Sequence, residues 1–303
     1  MSGFFQELAK QLATRWMSLL ALPGILFMAA CLTASWLGQA RALDVHLLSH
    51  SVDGLGAELS RSPGATQALL LTAALLGSGA IGLAVQALCG PVQALCLGQW
   101  PRGLSGLAGR LTDRRRSRWH ELLELRRDLE RGAPAATRTS AQQRRIDQVG
   151  GQINALARAE PGRPTWMGDR IHALGQVSVY RYGLDLEFGW SRLWLALPDE
   201  ARKVIDEAQA AFAGAVYILA WSVPYLVLAA WWWPSAVVSL VIAVAARQRC
   251  RAAIDTLTDL TEAVLDTHGR DLAIALAAAP SDSTGPLTIE EGRAVTRIVR
   301  KGR

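Results

Sequence analysis

The side chains near residue 50 have the types and spacing of a metal site or a proton sensor. His46, His50 and Asp53 follow one another at intervals of four and three, so a helix would place all three on one face. Imidazole and carboxylate groups in such a set can ligate zinc, and paired histidines can respond to mild acid. The same stretch also fits an amphipathic surface helix, which we favour. Its buried side would be Val52, Leu55 and Leu59.

Further groups with acid and base chemistry lie between Arg163 and Glu200. Asp169, His172 and Asp185 occur there without a recognisable arrangement. The chain has no glycine-rich phosphate loop with lysine, no His-Glu-x-x-His and no Gly-x-Ser-x-Gly. We therefore expect no enzyme, cofactor or metal, and a membrane enzyme built on this segment is the alternative. The cysteines are too scattered to predict a metal site or disulfide: Cys31, Cys89, Cys96 and Cys250.

The elements that must carry these groups follow from the distribution of charge. Half of the residues are hydrophobic, and no Asp, Glu, Lys or Arg occurs in residues 16–40, 62–101 or 208–246. A helix needs about 20 apolar residues to cross a bilayer core, because its backbone must satisfy its own hydrogen bonds there. Each stretch is long enough to cross at least once. The last is too long for one crossing, so we expect a turn at Trp231–Pro234.

We predict four transmembrane helices in two pairs, at residues 16–38, 67–90, 209–230 and 233–247. Gly90 and Pro91 should end or bend the second, and the fourth is short enough to borrow snorkelling arginines beyond it. A cleaved signal peptide is the alternative for the first. Tryptophans prefer the headgroup level. The expected interface anchors are Trp16, Trp36, Trp231, Trp232 and Trp233.

The positions of lysine and arginine predict the orientation, because these residues accumulate on the cytoplasmic side. The loop at residues 39–66 holds two, whereas residues 102–203 hold nineteen and residues 247–303 hold nine. Four crossings leave this loop outside the cell. They put the remaining sections in the cytosol, at residues 1–15, 91–208 and 248–303. The predicted location is the plasma membrane of a bacterium.

The cytosolic part is predicted to be helical. Apolar residues at steps of three and four mark helices at residues 111–132 and 140–159, with a breaker between them. Within residues 91–162 these form an antiparallel hairpin, or a coiled coil that pairs with a protein partner or a second copy. A third helix at 247–276 has an apolar side that needs a partner. Beyond it we expect a tail region rich in Pro, Ser, Asp and Gly at residues 279–286, and a basic, mobile end at residues 293–303.

Five arginines follow the second predicted span closely. Anionic lipid headgroups attract such residues by about 1 kcal/mol each near the surface, so we predict membrane lipids as a partner. Nucleic acid is the disfavoured alternative, because stacking aromatic residues are scarce and Trp119 is alone nearby. The arginines are Arg110, Arg114, Arg115, Arg116 and Arg118.

Residues 163–208 form a cytosolic segment rich in tryptophan and glycine, and regular helical periodicity is lost at residues 163–200. A Pro-Thr-x-x-Gly-Asp element precedes Arg-Tyr-Gly-Leu-Asp, a Trp-x-Arg-Leu and a Leu-Pro. This segment resembles one in a group of bacterial integral membrane proteins of undetermined function. The resemblance implies a transmembrane hairpin after the segment and no assigned activity. Its positions are Pro164, Thr165, Gly168, Asp169, Arg181, Tyr182, Gly183, Leu184, Asp185, Trp190, Arg192, Leu193, Leu197 and Pro198.

Within this segment we expect Arg181 and Asp185 to form an ion pair, Gly183 to take an unusual backbone angle and Tyr182 to complete the packing. A ligand site at these residues is the alternative. The apolar residues between Phe188 and Leu197 also fit a wedge that lies against the inner headgroups.

These features predict an all-α integral membrane protein with a helical, partly irregular cytosolic domain. We favour a non-enzymatic scaffold, sensor or effector that acts through its cytosolic helices. Apart from Arg247 at the end of the fourth, the predicted spans contain no Asp, Glu, Lys, Arg or His. An oligomeric channel or pore is the alternative. Such a protein usually places polar groups along its path. The modest candidates for such groups are Ser78, Gln86, Gln93 and Ser222.

Overall fold

The computed structural model describes residues 22–301, and these residues form α-helices and loops with no β-strand. The predicted all-α fold class is confirmed over this range. One 3₁₀ turn, Arg102–Leu104, stands between the third and fourth helices. The α-helices are α1 (Leu22–Leu37), α2 (Val45–Arg61), α3 (Gly64–Cys96), α4 (Ser105–Gly132), α5 (Ser140–Leu156), α6 (Trp166–Tyr182), α7 (Leu186–Ala196), α8 (Asp199–Leu228), α9 (Pro234–Ala275) and α10 (Ile289–Arg300).

The described residues divide into two compact units. Unit 1 comprises residues 22–92 and 214–249, and unit 2 comprises residues 93–213 and 250–301. The divisions fall within α3, α8 and α9, so each of these helices contributes residues to both units.

Unit 1 packs its helices through small residues. Ser78, Gly79 and Gly82 are buried on α3, and Gly24 of α1 lies so close to the Ser78 backbone that a Cβ has no room. Small residues allow helix backbones to approach in this way. Large apolar side chains are instead exposed, including Leu69, Leu71, Leu76, Leu83, Leu226, Leu240 and Val241.

By length and composition, two described helices are long and apolar enough to cross a membrane. They are α3, with 33 residues, and α8, with 30. The apolar helix α1 is shorter, at 16 residues. The predicted first span begins at Trp16, which lies outside the described residues.

The chain turns where the sequence predicts, at the run of tryptophans. α8 ends at Leu228 and α9 begins at Pro234. The Gln39 side-chain amide donates to the carbonyls of Ala229 and Ala230 at 3.0 and 2.9 Å, and its oxygen accepts from the Trp233 backbone N–H at 3.1 Å. Gln39 therefore satisfies the open backbone groups of the turn.

The predicted end of the second span at Gly90 and Pro91 does not coincide with a helix end. α3 continues through Pro91 to Cys96. Proline removes one backbone hydrogen bond from a helix interior, but the bonds on either side are retained here. The helix ends instead before Gly98, whose φ of +71° is the left-handed angle that glycine adopts readily.

In unit 2, α4 and α5 form the predicted helical hairpin. Leu122, Val149 and Ile153 are buried between them, with Trp119 and Leu129 packed alongside. A capping box opens α5, in which the Thr139 side chain accepts from the Gln142 backbone and the Gln142 side chain accepts in return. The pattern of steps of three and four was therefore sufficient to locate this hairpin.

The main core of unit 2 lies among α6 to α10. The irregular structure expected at residues 163–200 is wrong for most of that segment, because α6 and α7 occupy it. The mobile end expected at residues 293–303 is wrong for residues 293–300, because α10 buries Val295 and Val299 in this core. The largest fully buried side chains of this core are Leu184, Leu193, Leu197, Ile205, Leu265, Leu272 and Val295.

Candidate functional site

The Pro-Thr-x-x-Gly-Asp element joins the start of α6 to the end of α3. The Thr165 hydroxyl accepts from the Gly168 backbone N–H at 3.1 Å, capping α6, and donates to the Cys96 carbonyl at 2.7 Å. Gly168 lies against the Leu97 backbone, where a Cβ would have no space. Pro164 packs beside Gly98. The close contact between the backbones at the end of α3 and the start of α6 explains why proline, threonine and glycine occur in this element.

Asp169 is the charged centre of this element, and only 3% of it is exposed. Its carboxylate accepts from the Arg115 guanidinium at 2.8 Å and from the backbone N–H groups of Gly162 and Arg163 at 2.9 and 2.7 Å. Arg115 also donates to the Leu156 carbonyl. Asp169 thus holds α4, α6 and the loop before α6 together, and its lone pairs are occupied.

The five arginines expected to contact headgroups have different surroundings. Arg115 is committed to Asp169, Arg116 pairs with Glu160 at 3.0 Å, and Arg118 pairs with Glu121 at 3.0 Å. Arg110 and Arg114 are exposed, and within residues 22–301 no ion-pair partner of theirs is found. Lipid headgroup contact by these arginines stays a prediction.

The Arg-Tyr-Gly-Leu-Asp element forms the corner between α6 and α7. Gly183 ends α6 with a φ of +67°, as the sequence suggests. The expected ion pair between Arg181 and Asp185 is wrong. Arg181 pairs with Glu262 at 3.1 Å, whereas Asp185 caps α7 through the Glu187 N–H and pairs with Arg300 at 2.6 Å. The left-handed corner separates the two side chains and gives each a partner on another helix.

Helix α10 docks on this corner through its backbone as well as its side chains. The Thr296 hydroxyl donates to the Gly183 carbonyl and accepts from the Asp185 N–H, both at 3.0 Å. Gly292 lies in contact with the Tyr182 carbonyl, leaving no room for a Cβ. A second attachment is the Arg270–Glu291 ion pair at 3.0 Å.

The remaining residues of the resemblance are structural in this fold. Leu184 and Leu193 are fully buried in the core, and Arg192 donates to the Phe188 carbonyl at 2.8 Å. Trp190 packs against Trp194, with ring centroids 5.9 Å apart. Pro198 immediately precedes α8. The expected headgroup wedge is wrong for Leu193 and Leu197, which are buried, while Leu195 of the same helix is 77% exposed.

Tyr182 is buried, and its hydroxyl donates to the Asp266 carboxylate at 2.5 Å. Burial, followed by the hydrogen bond to Asp266, raises the pKa of Tyr182 well above its usual value. The phenol therefore stays protonated near neutral pH and serves as a packing residue, in line with the expectation from the sequence.

Part of a ladder of ion pairs lines a groove of about 840 Å³ in unit 2. On α9, acidic residues at intervals of four, three and four share one helix face. Three arginines face them, one just after the end of α5 and two on α6. The pairs are Arg158–Asp259 at 2.7 Å, Arg170–Asp255 at 2.5 Å, Arg181–Glu262 at 3.1 Å and Arg181–Asp266 at 3.8 Å.

The ladder is nearly neutral, since three guanidinium groups oppose four carboxylates. Burial and then the neighbouring Arg158 lower the pKa of Arg170, while Asp255 and Asp259 counteract them. The Arg170 guanidinium also lies 5.6 Å from the Trp166 ring centroid. The charged lining residues are Arg158, Arg170, Asp259, Glu262 and Asp266, so the groove presents alternating charge.

A second and more apolar groove, of about 1,100 Å³, lies beside the corner at Gly183. Tyr180 is 88% exposed there, and Val179 and Ile289 are also exposed. Arg181 and Arg293 line the same groove. Sequence reasoning missed Tyr180, because a tyrosine two residues before a helix end carries no spacing signal of its own. It missed Arg170 too, although the acidic stripe of α9 could have indicated partners.

His46, His50 and Asp53 lie on an exposed face of α2. Across residues 22–301, no group of three or more His, Cys, Asp or Glu side chains is arranged to hold a metal ion. The buried side expected for this helix is wrong, because Val52, Leu55 and Leu59 are all exposed. The helix is amphipathic, and the described part of the chain leaves most of its apolar face open, with Leu48 half-buried.

The expected interface anchors have mixed environments. Trp231 and Trp233 are exposed, whereas Trp232 donates from its indole to the Ala42 carbonyl at 3.1 Å. Trp36 is half-buried, and Trp16 lies outside the described residues.

No protein-family model, curated protein or solved structure compared with the chain matches it. The resemblance described above therefore stays a prediction, and the functional argument rests on the geometry.

Proposed function

We propose that this chain is an integral protein of a bacterial plasma membrane, with four crossings and both termini in the cytosol. It acts without catalysis, as a scaffold, sensor or effector. Unit 2 is the cytosolic part that binds a partner protein or a second copy of the chain. The observation that carries this role is the groove at Tyr180, whose exposed aromatic and aliphatic side chains lie between two arginines.

The distribution of residue sizes in unit 1 supports the membrane location. Leucines of α3 such as Leu71 and Leu76 are 64% and 68% exposed, while Ser78 is fully buried. Water would penalise such a surface, whereas lipid chains solvate it as well as a protein interior does. The length and composition of α3 and α8 support the same conclusion.

The contacts of Gln39 support an even number of crossings. Gln39 follows the end of α1 and bonds to the turn between α8 and α9. The end of α1 and this turn therefore lie at the same end of unit 1. If α1 runs outward, α3 returns inward, α8 runs outward and α9 returns, which puts all the basic sections on one side.

The composition of the Tyr180 groove supports partner binding. Tyrosine and arginine are the residue types that most often carry binding energy at interfaces. A tyrosine that is 88% exposed contributes little to the fold, so its surroundings favour an intermolecular role. The neighbouring ion-pair ladder adds alternating charges that can set the orientation of a partner.

The contacts of Asp169 and Asp185 within the fold support a role without catalysis. Asp169 accepts three hydrogen bonds, one from Arg115 and two from backbone N–H groups. Asp185 caps α7 and pairs with Arg300. His172 contacts Gln176 instead of either acid. For the enzyme alternative, His172→Ala is the decisive variant, because replacing either acid would also damage the fold.

One observation favours the pore as a second candidate. Gln86 is exposed on α3 within the predicted second span, where an amide would seek a partner in an oligomer. The hydroxyls of Ser78 and Ser222 instead donate to carbonyls of their own helices. Conductance across reconstituted vesicles tests this alternative, since a scaffold passes no current.

Two experiments test the proposal. Reporters that distinguish the two faces of the membrane, fused at Arg303 and in the loop at residues 39–66, should report the cytosol and the exterior, respectively. Reporters on the same face would contradict the topology. Cross-linking in native membranes should yield a discrete adduct that Tyr180→Ala abolishes and Glu124→Ala, an exposed control on α4, retains. An adduct unaffected by Tyr180→Ala would remove the partner role of this groove.

A further inference from the structure

The apolar face of α2 is long and continuous. Val45, Leu48, Val52, Leu55 and Leu59 follow at steps of three and four, so they form one stripe along the helix. The exposed fractions of Val45, Val52, Leu55 and Leu59 are 72%, 51%, 44% and 37%. α2 has no buried residue at all. A stripe of this kind on a water-exposed helix would be costly to leave open.

The polar groups of α2 are satisfied or face the other way. Asp44 caps the helix by accepting from the Leu47 N–H at 2.9 Å. The hydroxyls of Ser49, Ser51 and Ser60 donate to carbonyls of the helix itself. His46, His50 and Asp53 occupy the face away from the aliphatic stripe. The helix therefore has one apolar side and one hydrated side.

Its connections hold α2 close to the apolar helices of unit 1. Seven residues join it to α1, and only Ser62 and Pro63 join it to α3. If α1 and α3 cross a bilayer, as proposed above, both ends of α2 are tethered at the bilayer surface. A helix tied down at both ends in this way has the lipid boundary within reach of its open side.

We infer that α2 lies in the outer surface of the bilayer, with the stripe Val45 to Leu59 inserted at the boundary of headgroups and acyl chains. The occupant of this face is lipid, as for other amphipathic helices that lie in the membrane plane. Arg61 is the one basic residue of the helix, against Asp53 and Glu58. Apolar insertion, rather than attraction to anionic lipid, therefore provides the binding.

The test is a pair of spin-labelled variants of the full chain in phosphatidylcholine and phosphatidylglycerol vesicles. Leu55→Cys places the label on the stripe, and Asp53→Cys places it on the hydrated face. The four native cysteines are first replaced by alanine. Leu71→Cys on α3 is the lipid reference, and Glu124→Cys on α4 is the water reference. Collision rates are measured with oxygen, which concentrates in lipid, and with a water-soluble nickel chelate.

The label at residue 55 should collide several-fold more with oxygen than with nickel, and the label at residue 53 should show the reverse. Nickel-dominated collisions at both positions, with residue 71 still in lipid, would overturn the inference and leave the membrane proposal standing. Nickel-dominated collisions at residue 71 would overturn the proposed function itself. Shielding of residue 55 from both reagents, with dipolar broadening between labels, would mean that a second copy covers the stripe and would also overturn the inference.

A second measurement avoids the cysteine-free background, in which loss of the buried Cys250 thiol can disturb the fold. In intact cells, a membrane-impermeant maleimide should react several-fold faster with Asp53→Cys than with Leu55→Cys in the otherwise native chain. Equal rates at the two positions would overturn the inference.

Discussion

Leucine occupies opposite places in the two units. In unit 2, Leu184, Leu193 and Leu265 are completely buried, whereas in unit 1 Leu69, Leu71 and Leu76 are about two-thirds exposed. Unit 2 thus has the core expected when burial of apolar surface drives folding in water. Unit 1 has the inverse arrangement, with serine and glycine inside. This inverse arrangement is what the proposed membrane location of unit 1 would produce.

The polar contacts differ in the same sense. Unit 1 is held by close backbone approach at Gly24 and by Gln39 and Ser239, whose hydroxyl donates to the Ser222 carbonyl at 2.7 Å. Unit 2 uses helix caps, buried charge and the ion-pair ladder. In lipid, close packing and interhelical hydrogen bonds replace the hydrophobic effect between helices. The following variants test whether this contrast holds.

The largest effect is expected for Asp169→Ala. It should lower the free energy of unfolding of unit 2 by about 3–5 kcal/mol, because the mostly buried Arg115 is left without its counter-charge. Hydrogen exchange of α6 amides in the purified full chain measures the change. Asp128→Ala is the control, since its pair with Arg131 is exposed, and it should cost less than about 0.5 kcal/mol. Equal costs would contradict the role of Asp169.

The next largest change in stability is expected when a leucine is replaced by alanine, and the change should differ between the two units. Leu193→Ala should destabilise unit 2 by about 2–5 kcal/mol, because it leaves a cavity in a closed core. Leu71→Ala should change stability by less than about 0.5 kcal/mol, because lipid or detergent fills the space. Denaturation of both variants in one detergent measures the difference. Similar losses would show that Leu71 is covered by protein.

Gly292→Ala tests the docking of α10 on the corner at Gly183. A Cβ would collide with the Tyr182 carbonyl, so we expect a loss of about 1–3 kcal/mol and faster proteolysis after residue 288. Gly106→Ala has open space around it in α4 and should stabilise by about 0.5–1 kcal/mol. A neutral Gly292→Ala would mean that α10 is loosely held.

The smallest effect is a pH dependence at the same helix. Hydrogen bonds with the Thr288 backbone, and then with the Thr288 and Arg270 side chains, lower the pKa of Glu291. Because the pKa of Glu291 is lower in the folded than in the unfolded chain, ionised Glu291 stabilises the fold at pH values above the unfolded pKa of about 4.3. This contribution is lost as the pH falls through the folded pKa.

The wild-type chain should therefore exceed Glu291→Gln in stability by a constant amount above about pH 5, and the gap should shrink below about pH 4. Thermal unfolding at a series of pH values measures the gap. Glu290→Gln, an exposed neighbour, should show no such gap. A gap that is constant down to pH 2 would exclude this role for Glu291.

Local patterns predicted most of the helices but few of their partners. The hairpin of α4 and α5, the turn at the tryptophans and the left-handed Gly183 follow from spacing, proline and glycine. The partners of Arg181 and Asp185 do not, because each lies on a helix about 80 or 115 residues further along the chain. The docking of α10 was missed for the same reason.

By itself, the sequence determined the helical fold class, the three uncharged stretches and the helix periodicities, because these depend on neighbours within a few turns. Only the tertiary structure decided that Asp169 is saturated by Arg115 and two backbone amides, that α10 closes the core of unit 2, and that the stripe of α2 stays open. Each of these depends on which distant backbones come into contact, and that contact is set by the shape of the packed helices rather than by any one segment.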